Sequence, residues 1–215
     1  MSLNAELTKM REERAAKRPA AASQLLAAEM ERWLGAGLEA QSLQVGDKIP
    51  PFALGNAVGQ TVSADDLLKA GPLVISFYRG AWCPYCNLEL RTLQQALPDI
   101  RAAGGQLVAI SPNQPDSSLS SVEKHGLTFE VLSDVGNHVA RQFGLVFSVG
   151  SDVRPMFQKV GFDIPGQNGD DTWEIPVPAT YVVNPAGQVV YRFVDPNYTR
   201  RAEPADIVAA LQAIR

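Results

Sequence analysis

The chain contains 215 residues, of which 46% are hydrophobic and 20% are charged, proportions that exclude a disordered or fibrous protein. Its 23 acidic and 19 basic side chains give a net charge of −4 at pH 7 without a basic cluster, so we expect no nucleic-acid partner. No apolar run approaches the roughly 18 residues that cross a membrane. Residues 1–18 are charged throughout, unlike a signal peptide, and we expect a cytoplasmic protein with no membrane partner.

Residues 1–44 are predicted to form an N-terminal helical extension. Leu26, Met30, Trp33 and Leu34 are spaced at i, i+4, i+7 and i+8, which is the spacing of one helix face. We expect this apolar face to be buried against the rest of the chain or against a second copy, which leaves a homodimer open. No chemical role is predicted for the extension.

Residues 45–215 are predicted to form a single α/β domain. Short apolar runs indicate strands at 73–78, 107–110 and 180–183, with a hairpin partner at 188–194. Helical patterns are found at about 84–103, 119–125, 135–143 and 204–214. This order predicts a central mixed sheet flanked by helices on both faces. Residues 150–178, which are rich in Gly, Pro and Asp, are predicted to be a long loop insertion.

The two cysteines, Cys83 and Cys86, belong to one Cys-Pro-Tyr-Cys sequence where a predicted strand ends and a helix begins. A disulfide between them closes too short a loop to stabilise a fold, which leaves redox chemistry or half of a metal site. Helix N-termini stabilise thiolates, and Pro84 suits the first helical turn. Cys86 continues the apolar face of the helix, so we expect Cys86 to face the core and Cys83 to lie at an exposed tip.

A metal site is the first alternative for the two cysteines. Zinc would need two more ligands. The chain's two histidines, His125 and His138, lie on separate predicted helices and lack ligand-like spacing. We therefore predict no metal.

Several motifs together resemble the thioredoxin-fold proteins, and among them the alkyl hydroperoxide reductase/thiol-specific antioxidant (AhpC/TSA) family, the peroxiredoxins. The motifs are the redox sequence Trp82-Cys-Pro-Tyr-Cys86, the strand entry Val177-Pro178-Ala-Thr, the opening Val45-Gly-Asp-Lys-Ile-Pro-Pro-Phe52 and the segment from Leu132 to Gly144. The resemblance covers about three quarters of the chain. It implies a thioredoxin-like fold in which a cis peptide bond precedes Pro178, close to the dithiol.

The resemblance also implies a function, which is thiol-dependent reduction of hydrogen peroxide or organic hydroperoxides without a cofactor. A thioredoxin-like or small-thiol reductant would then reduce a disulfide between Cys83 and Cys86. Two alternatives stay open. One is a general thiol–disulfide oxidoreductase of thioredoxin type, and the other is a non-catalytic redox sensor.

The family pattern and the helix geometry favour different attacking thiols. The pattern Pro-x-x-x-Thr-x-x-Cys, laid on residues 79–86, assigns the peroxide-reducing role to Cys86 and puts Cys83 where Thr is expected. Exposure at the helix tip favours Cys83 instead. We expect Cys86 to react with peroxide and Cys83 to react with disulfides.

Five further residues are predicted to support the dithiol. Arg79 stands where the family pattern has Pro, and its charge is expected to stabilise the reacting oxygen. Trp82 and Tyr85 are expected to cover the thiols, and Pro84 and Pro178 to shape the backbone around them. The pair Arg200-Arg201 has two interpretations, an anion site and a charged approach to the last helix, and we favour the second.

Overall fold

The computed structural model describes residues 2–214. The helices are α1 Leu3–Ala16, α2 Ala20–Leu34, α3 Leu38–Gln41, α4 Ala64–Ala70, α5 Pro84–Ala102, α6 Pro115–His125, α7 His138–Gln142, α8 Arg154–Lys159, α9 Ile164–Asn168 and α10 Pro204–Gln212. The strands are β1 Ala53–Asn56, β2 Thr61–Ser63, β3 Leu73–Phe77, β4 Gln106–Ser111, β5 Glu130–Ser133, β6 Val146–Ser148, β7 Glu174–Pro176, β8 Ala179–Val183 and β9 Val189–Val194.

Seven strands form one mixed sheet in the order β2-β1-β5-β4-β3-β8-β9. The central strands β3, β4 and β5 are parallel, whereas β8 runs antiparallel to β3 and β9 antiparallel to β8. This arrangement confirms the predicted mixed sheet flanked by helices. The predicted strands and helices are all present, with ends that differ by a few residues, and β1, β2, β5, β6 and α4 were not predicted.

The central strand β3 is buried on both faces because helices cover both sides of the sheet. Leu73, Ile75 and Phe77 pack on one side with Tyr181 and other apolar groups. Val74 packs on the opposite side with the apolar face of α5. Four of the five residues of β3 are therefore apolar, and the hydroxyl of the fifth, Ser76, donates to the carboxylate of Glu89 over 3.4 Å. The strand ends where the dithiol loop begins.

Helices α1 and α2 pack onto the rest of the chain. Leu7 and Trp33 are buried, and the backbone N–H groups of Leu3 and Asn4 donate to the carboxylate of Glu203, over 2.9 and 2.8 Å. The prediction that the whole apolar face of α2 is buried is wrong at its end, because Leu34 is 47% exposed. Leu34 is the last residue of α2, next to the buried Trp33.

Two sequence predictions are wrong between residues 150 and 178. The predicted loop contains α8, α9 and β7, and β7 pairs with β6 in a separate two-stranded sheet. No peptide bond in residues 2–214 is cis, so the bond before Pro178 is trans. The direction of the chain explains this, because the backbone runs on from β7 through Val177 into β8. The N–H of Val177 donates to the Leu145 carbonyl over 2.8 Å.

No helix within residues 2–214 has the length and apolar character needed to cross a membrane.

Candidate functional site

The dithiol lies in the turn from β3 to α5, as predicted. Cys83 caps α5, and Pro84 occupies its first position, where no N–H is needed. Gly80 has a φ of +136°, and the indole of Trp82 passes so close that a Cβ there would lie 2.6 Å from its Nε1 atom. Glycine is therefore required for the turn that brings Cys83 to the helix start.

A buried asparagine pair joins the dithiol turn to the segment that was predicted to be a loop. The Ala81 N–H donates to Asn113 Oδ1 over 2.8 Å, and Asn113 Nδ2 donates to Asn168 Oδ1 in α9 over 2.9 Å. The short helix α9 thus braces the turn that carries Cys83.

Both cysteines are buried, which corrects the prediction that Cys83 is exposed. The exposed fraction is 1% for Cys83 and 0% for Cys86. Cys83 opens onto a small chamber of about 50 Å³, which is lined by groups from four separate parts of the chain: Arg14, Arg18, Leu26, Arg79, Trp82, Cys83, Pro84, Tyr85, Phe157, Phe162 and Tyr198. The residues from the N-terminal extension, from 157–162 and at Tyr198 form the cover, which helix geometry alone could not predict.

Cys86 accepts two hydrogen bonds from positively charged residues. The backbone N–H of Arg79 lies 3.4 Å from its Sγ atom, and Nη2 of Arg201 lies 3.2 Å from it. Arg201 is buried and held in place, since its Nη1 donates to the carbonyls of Tyr198 and Arg200 over 2.8 and 2.7 Å. Its Nε donates to the carboxylate of Glu89. The interpretation of Arg201 as no more than a charged approach to the last helix is therefore wrong, because its side chain is 1% exposed and contacts Cys86.

Arg79 lies in an aromatic box. Its guanidinium carbon is 4.3 Å from the ring centre of Tyr198, 4.9 Å from that of Trp82 and 5.3 Å from that of Trp33. The side chain is 2% exposed, yet its Nε and Nη2 atoms have no hydrogen-bond partner. Buried polar groups are almost always paired, so two free donors beside a reactive thiol indicate a place for an acceptor that binds there.

The pKa values of the two thiols are shifted in opposite directions from the ordinary thiol value. Burial raises the pKa of Cys83, but a hydrogen bond from Cys86 and the charges of Arg79 and Arg201 outweigh burial and lower that pKa to about 6. Burial raises the pKa of Cys86 well above its ordinary value, and the neighbouring Cys83 sulfur raises it further. These shifts favour Cys83 over Cys86 as the thiolate at neutral pH, with the Cys86 thiol as its hydrogen-bond donor.

Glu89 links this pair to the core of the protein. It is fully buried beside Arg201, and burial raises the pKa of its carboxyl to about 7 although the Arg201 charge opposes the rise. Arg201 and Glu89 were both missed from the sequence. Glu89 gave a signal, because a carboxylate three residues after Cys86 interrupts the apolar face of α5. Arg201 gave none, since it comes 115 residues after Cys86.

Pro178 is buried, and β8, which it precedes, lies beside β3 in the sheet. Tyr85 packs edge-on against Tyr198, with ring centres 5.5 Å apart, and Trp82 packs against Phe162 at 5.3 Å. Within residues 2–214, no group of three or more His, Cys, Asp and Glu side chains is placed to hold a metal ion.

A buried dithiol with one acidic thiol, set at the start of a helix beside a mixed sheet, defines a thiol redox protein. The sequence model of the AhpC/TSA family matches residues 45–192, and the chain belongs to that family.

The chain is similar to two curated relatives over about half of its length. It is 30% identical over 103 residues to peroxiredoxin Bcp of Escherichia coli strain K12, which covers 48% of this chain and 65% of that protein. It is 31% identical over 100 residues to the chloroplastic peroxiredoxin Q of Sedum lineare, which covers 46% of this chain and 53% of that protein. The chain thus spans less than two thirds of either relative.

Solved structures share the fold. The peroxidoxin BcpB of Mycobacterium tuberculosis has a TM-score of 0.64 at 21% identity, over 80% of this chain and 99% of that one. A peroxiredoxin-like protein from Aquifex aeolicus has a TM-score of 0.61 at 18% identity, over 81% of this chain and 89% of that one. The match confirms the predicted thioredoxin-like fold.

Proposed function

We propose that this protein is a thiol-dependent peroxidase in which Cys83 attacks the hydroperoxide and Cys86 resolves the product. The observation that carries the proposal is the chamber over Cys83, where an acidic thiol faces the unpaired N–H donors of Arg79. The family and its curated relatives support the peroxidase activity. This assignment of the cysteines departs from the family register, which favours Cys86.

The reaction is a two-electron reduction. The Cys83 thiolate attacks the terminal oxygen of the O–O bond, which breaks and leaves Cys83 as a sulfenic acid and the rest of the substrate as an alkoxide or hydroxide. Arg79 N–H donors stabilise that developing charge, and a proton from solvent completes the alcohol or water. The Cys86 thiol then attacks the sulfenic sulfur, forming the Cys83–Cys86 disulfide and releasing one water.

The disulfide is returned to the dithiol by two electrons from an external thiol. A thioredoxin-like protein and a small thiol both supply the required chemistry. Because Cys83 opens onto a chamber of about 50 Å³, a protein reductant needs the covering helices to move. A reducing cytoplasm is the compartment that fits this cycle.

The test is rapid mixing of the reduced protein with one equivalent of hydrogen peroxide, followed by trapping of sulfenic acid in Cys83→Ser and Cys86→Ser. We expect Cys86→Ser to form one sulfenic acid per chain, and Cys83→Ser to react no faster than free cysteine. The reverse pattern would restore Cys86 as the attacking thiol. If neither variant outpaces free cysteine, the peroxidase proposal is wrong.

A second candidate function, thiol–disulfide exchange, is favoured by the opposite acidities of the two thiols. An acidic first cysteine and a protonated second one suit attack on a disulfide followed by resolution of the mixed disulfide. Burial of Cys83 opposes this function, because the sulfur of a protein disulfide must reach it. Reduction of insulin at a rate comparable with peroxide reduction would favour the second candidate.

A further inference from the structure

Arg201, whose guanidinium contacts Cys86, belongs to neither a helix nor a strand. It lies between the end of β9 and the start of α10. Its Nη2 atom is 3.2 Å from the Cys86 sulfur, and a side chain keeps such a contact only where its main chain is held in place. The groups that hold the main chain of Arg201 therefore affect the chemistry of the dithiol.

Asn4, in the first turn of α1, pairs with both main-chain polar groups of Arg201. Its Oδ1 atom accepts the Arg201 N–H over 3.1 Å, and its Nδ2 atom donates to the Arg201 carbonyl over 2.8 Å. One amide side chain thus satisfies the donor and the acceptor of one residue, as a neighbouring strand does in a sheet. The two hydrogen bonds fix both the position and the orientation of the Arg201 main chain.

Asn4 is itself held by Glu203. One carboxylate oxygen of Glu203 accepts the backbone N–H and the side-chain amide of Asn4, both over 2.8 Å, and the other accepts the Leu3 N–H over 2.9 Å. Burial raises the pKa of Glu203, but the hydrogen bonds from Asn4 and Leu3 outweigh burial and lower it. A negative charge also suits the start of a helix. The first turn of α1 is therefore fixed to the chain around Arg201.

Asn4 and Arg201 both lie outside residues 45–192, the part of the chain that the family model matches. The contact between them is therefore a feature of the segments that flank the matched part. No chemical role was predicted for the N-terminal extension, and this contact assigns one to it.

We propose that Asn4 is a positioning residue for the second chemical step, because it holds Arg201 where its guanidinium stabilises negative charge on the Cys86 sulfur. This assignment rests on the proposed peroxidase function. In that step the Cys86 thiol gives up its proton and its sulfur bonds to the sulfenic sulfur of Cys83. The S–O bond breaks, and the leaving hydroxide takes up a proton to become water.

The second step depends on Arg201 because Cys86 is fully buried. Burial and the neighbouring Cys83 raise the pKa of Cys86, so the thiolate that attacks is scarce, and the Arg201 charge opposes that rise. The first step depends on Arg201 less, since the charge of Arg79 lowers the pKa of Cys83 more than that of Arg201 does. Displacement of Arg201 should therefore slow disulfide formation more than sulfenic acid formation.

Rapid quenching separates the two steps. The reduced full-length protein is mixed with one equivalent of hydrogen peroxide, and sulfenic acid and disulfide are measured over time by mass spectrometry. In Asn4→Ala we expect disulfide formation to slow by roughly tenfold and sulfenic acid formation by less than about threefold, so that sulfenic acid accumulates. Disulfide formation at the unmodified rate would overturn the assignment.

A titration without peroxide separates this proposal from the one on which it rests. The thiolate of Cys86 is followed by its ultraviolet absorbance in Cys83→Ser, with and without Asn4→Ala. We expect the added substitution to raise the pKa of Cys86 by about half a unit or more, because Arg201 is displaced while Arg79, Glu89 and Tyr78 still face the thiol.

Each outcome of the titration decides one proposal. An unchanged pKa of Cys86 would overturn the role of Asn4. Absence of sulfenic acid in the unmodified protein would overturn the peroxidase function, whatever the titration shows.

Leu7→Ala is the matched control, since it weakens the packing of the same helix without removing a hydrogen bond to Arg201. It should change the rate of disulfide formation by less than about threefold. Circular dichroism checks that both variants are folded. Equal slowing in Leu7→Ala and Asn4→Ala would show that docking of α1 as a whole positions Arg201, and would overturn the role assigned to Asn4.

Discussion

The central sheet and the cover of the dithiol differ in where their residues come from. The sheet and the helix α5 follow one another along the chain and place Cys83 and Cys86 by local geometry. The cover combines helices α1 and α2, the segment from α8 to Phe162, and the residues around Tyr198. The sheet thus positions the sulfur atoms, while distant parts of the chain bury them and supply Arg201 and the aromatic box around Arg79. The position of the two sulfur atoms and their reactivity are thus determined by different parts of the chain.

Glu89 and Arg201 form the strongest link between these two regions, and breaking it should have the largest effect. Glu89→Leu leaves the Arg201 charge buried without its carboxylate. We expect the free energy of unfolding to fall by about 3–5 kcal/mol, as is usual when one partner of a buried ion pair is removed. Urea unfolding of the reduced protein measures this.

The double variant Glu89→Leu/Arg201→Met is the control for that prediction, since it removes both charges. It should recover much of the lost stability. A double variant that is less stable than Glu89→Leu would show that the pair is not the main link.

A substitution of Arg79 tests whether the residues around Cys83 set its rate of reaction with peroxide. Removing one preorganised donor to a developing oxyanion typically costs 10²- to 10³-fold in rate, so Arg79→Met should lower kcat/KM for hydrogen peroxide by roughly 10²-fold or more. The same change removes a charge that lowers the Cys83 pKa. Stopped-flow oxidation measures the rate, and circular dichroism checks the fold. A loss of less than threefold would contradict the role assigned to Arg79.

Leu7 and Leu34 form a matched pair within the N-terminal extension. Leu7 is fully buried, whereas Leu34 is 47% exposed. Leu7→Ala should lower the free energy of unfolding by about 2–5 kcal/mol. Leu34→Ala should change it by less than about 0.5 kcal/mol. Thermal or urea unfolding separates the two, and equal effects would contradict the packing of α1 described above.

The sequence predicted the sheet and α5 because their signals are local. Strand β3 is apolar at four of its five positions, and the apolar face of α5 repeats at helical spacing, so each element is encoded within its own residues. Gly80 and Pro84 likewise mark the turn at which α5 begins. These patterns, with the family resemblance, were enough to place the dithiol at the end of a strand.

The cover could not be predicted because it depends on contacts between distant segments. Cys83 is buried by Leu26 and Phe157, which no periodicity relates to residue 83. Residues 150–178 contain three elements of three to six residues, too short for a periodic signal. The trans bond before Pro178 likewise follows from the direction in which β7 enters β8, which is a tertiary property.

The measurement that tests the account most directly is a pH titration of each thiolate by its ultraviolet absorbance, in Cys86→Ser and Cys83→Ser. The account predicts that Cys83, observed in Cys86→Ser, titrates below the ordinary thiol value of about 8.5, because the serine hydroxyl replaces the hydrogen-bond donor of Cys86 and because Arg79 and Arg201 stabilise the thiolate. It predicts that Cys86, observed in Cys83→Ser, titrates above that value because it is buried. A Cys86 that titrates below Cys83 would contradict the assignment of Cys83 as the attacking thiol.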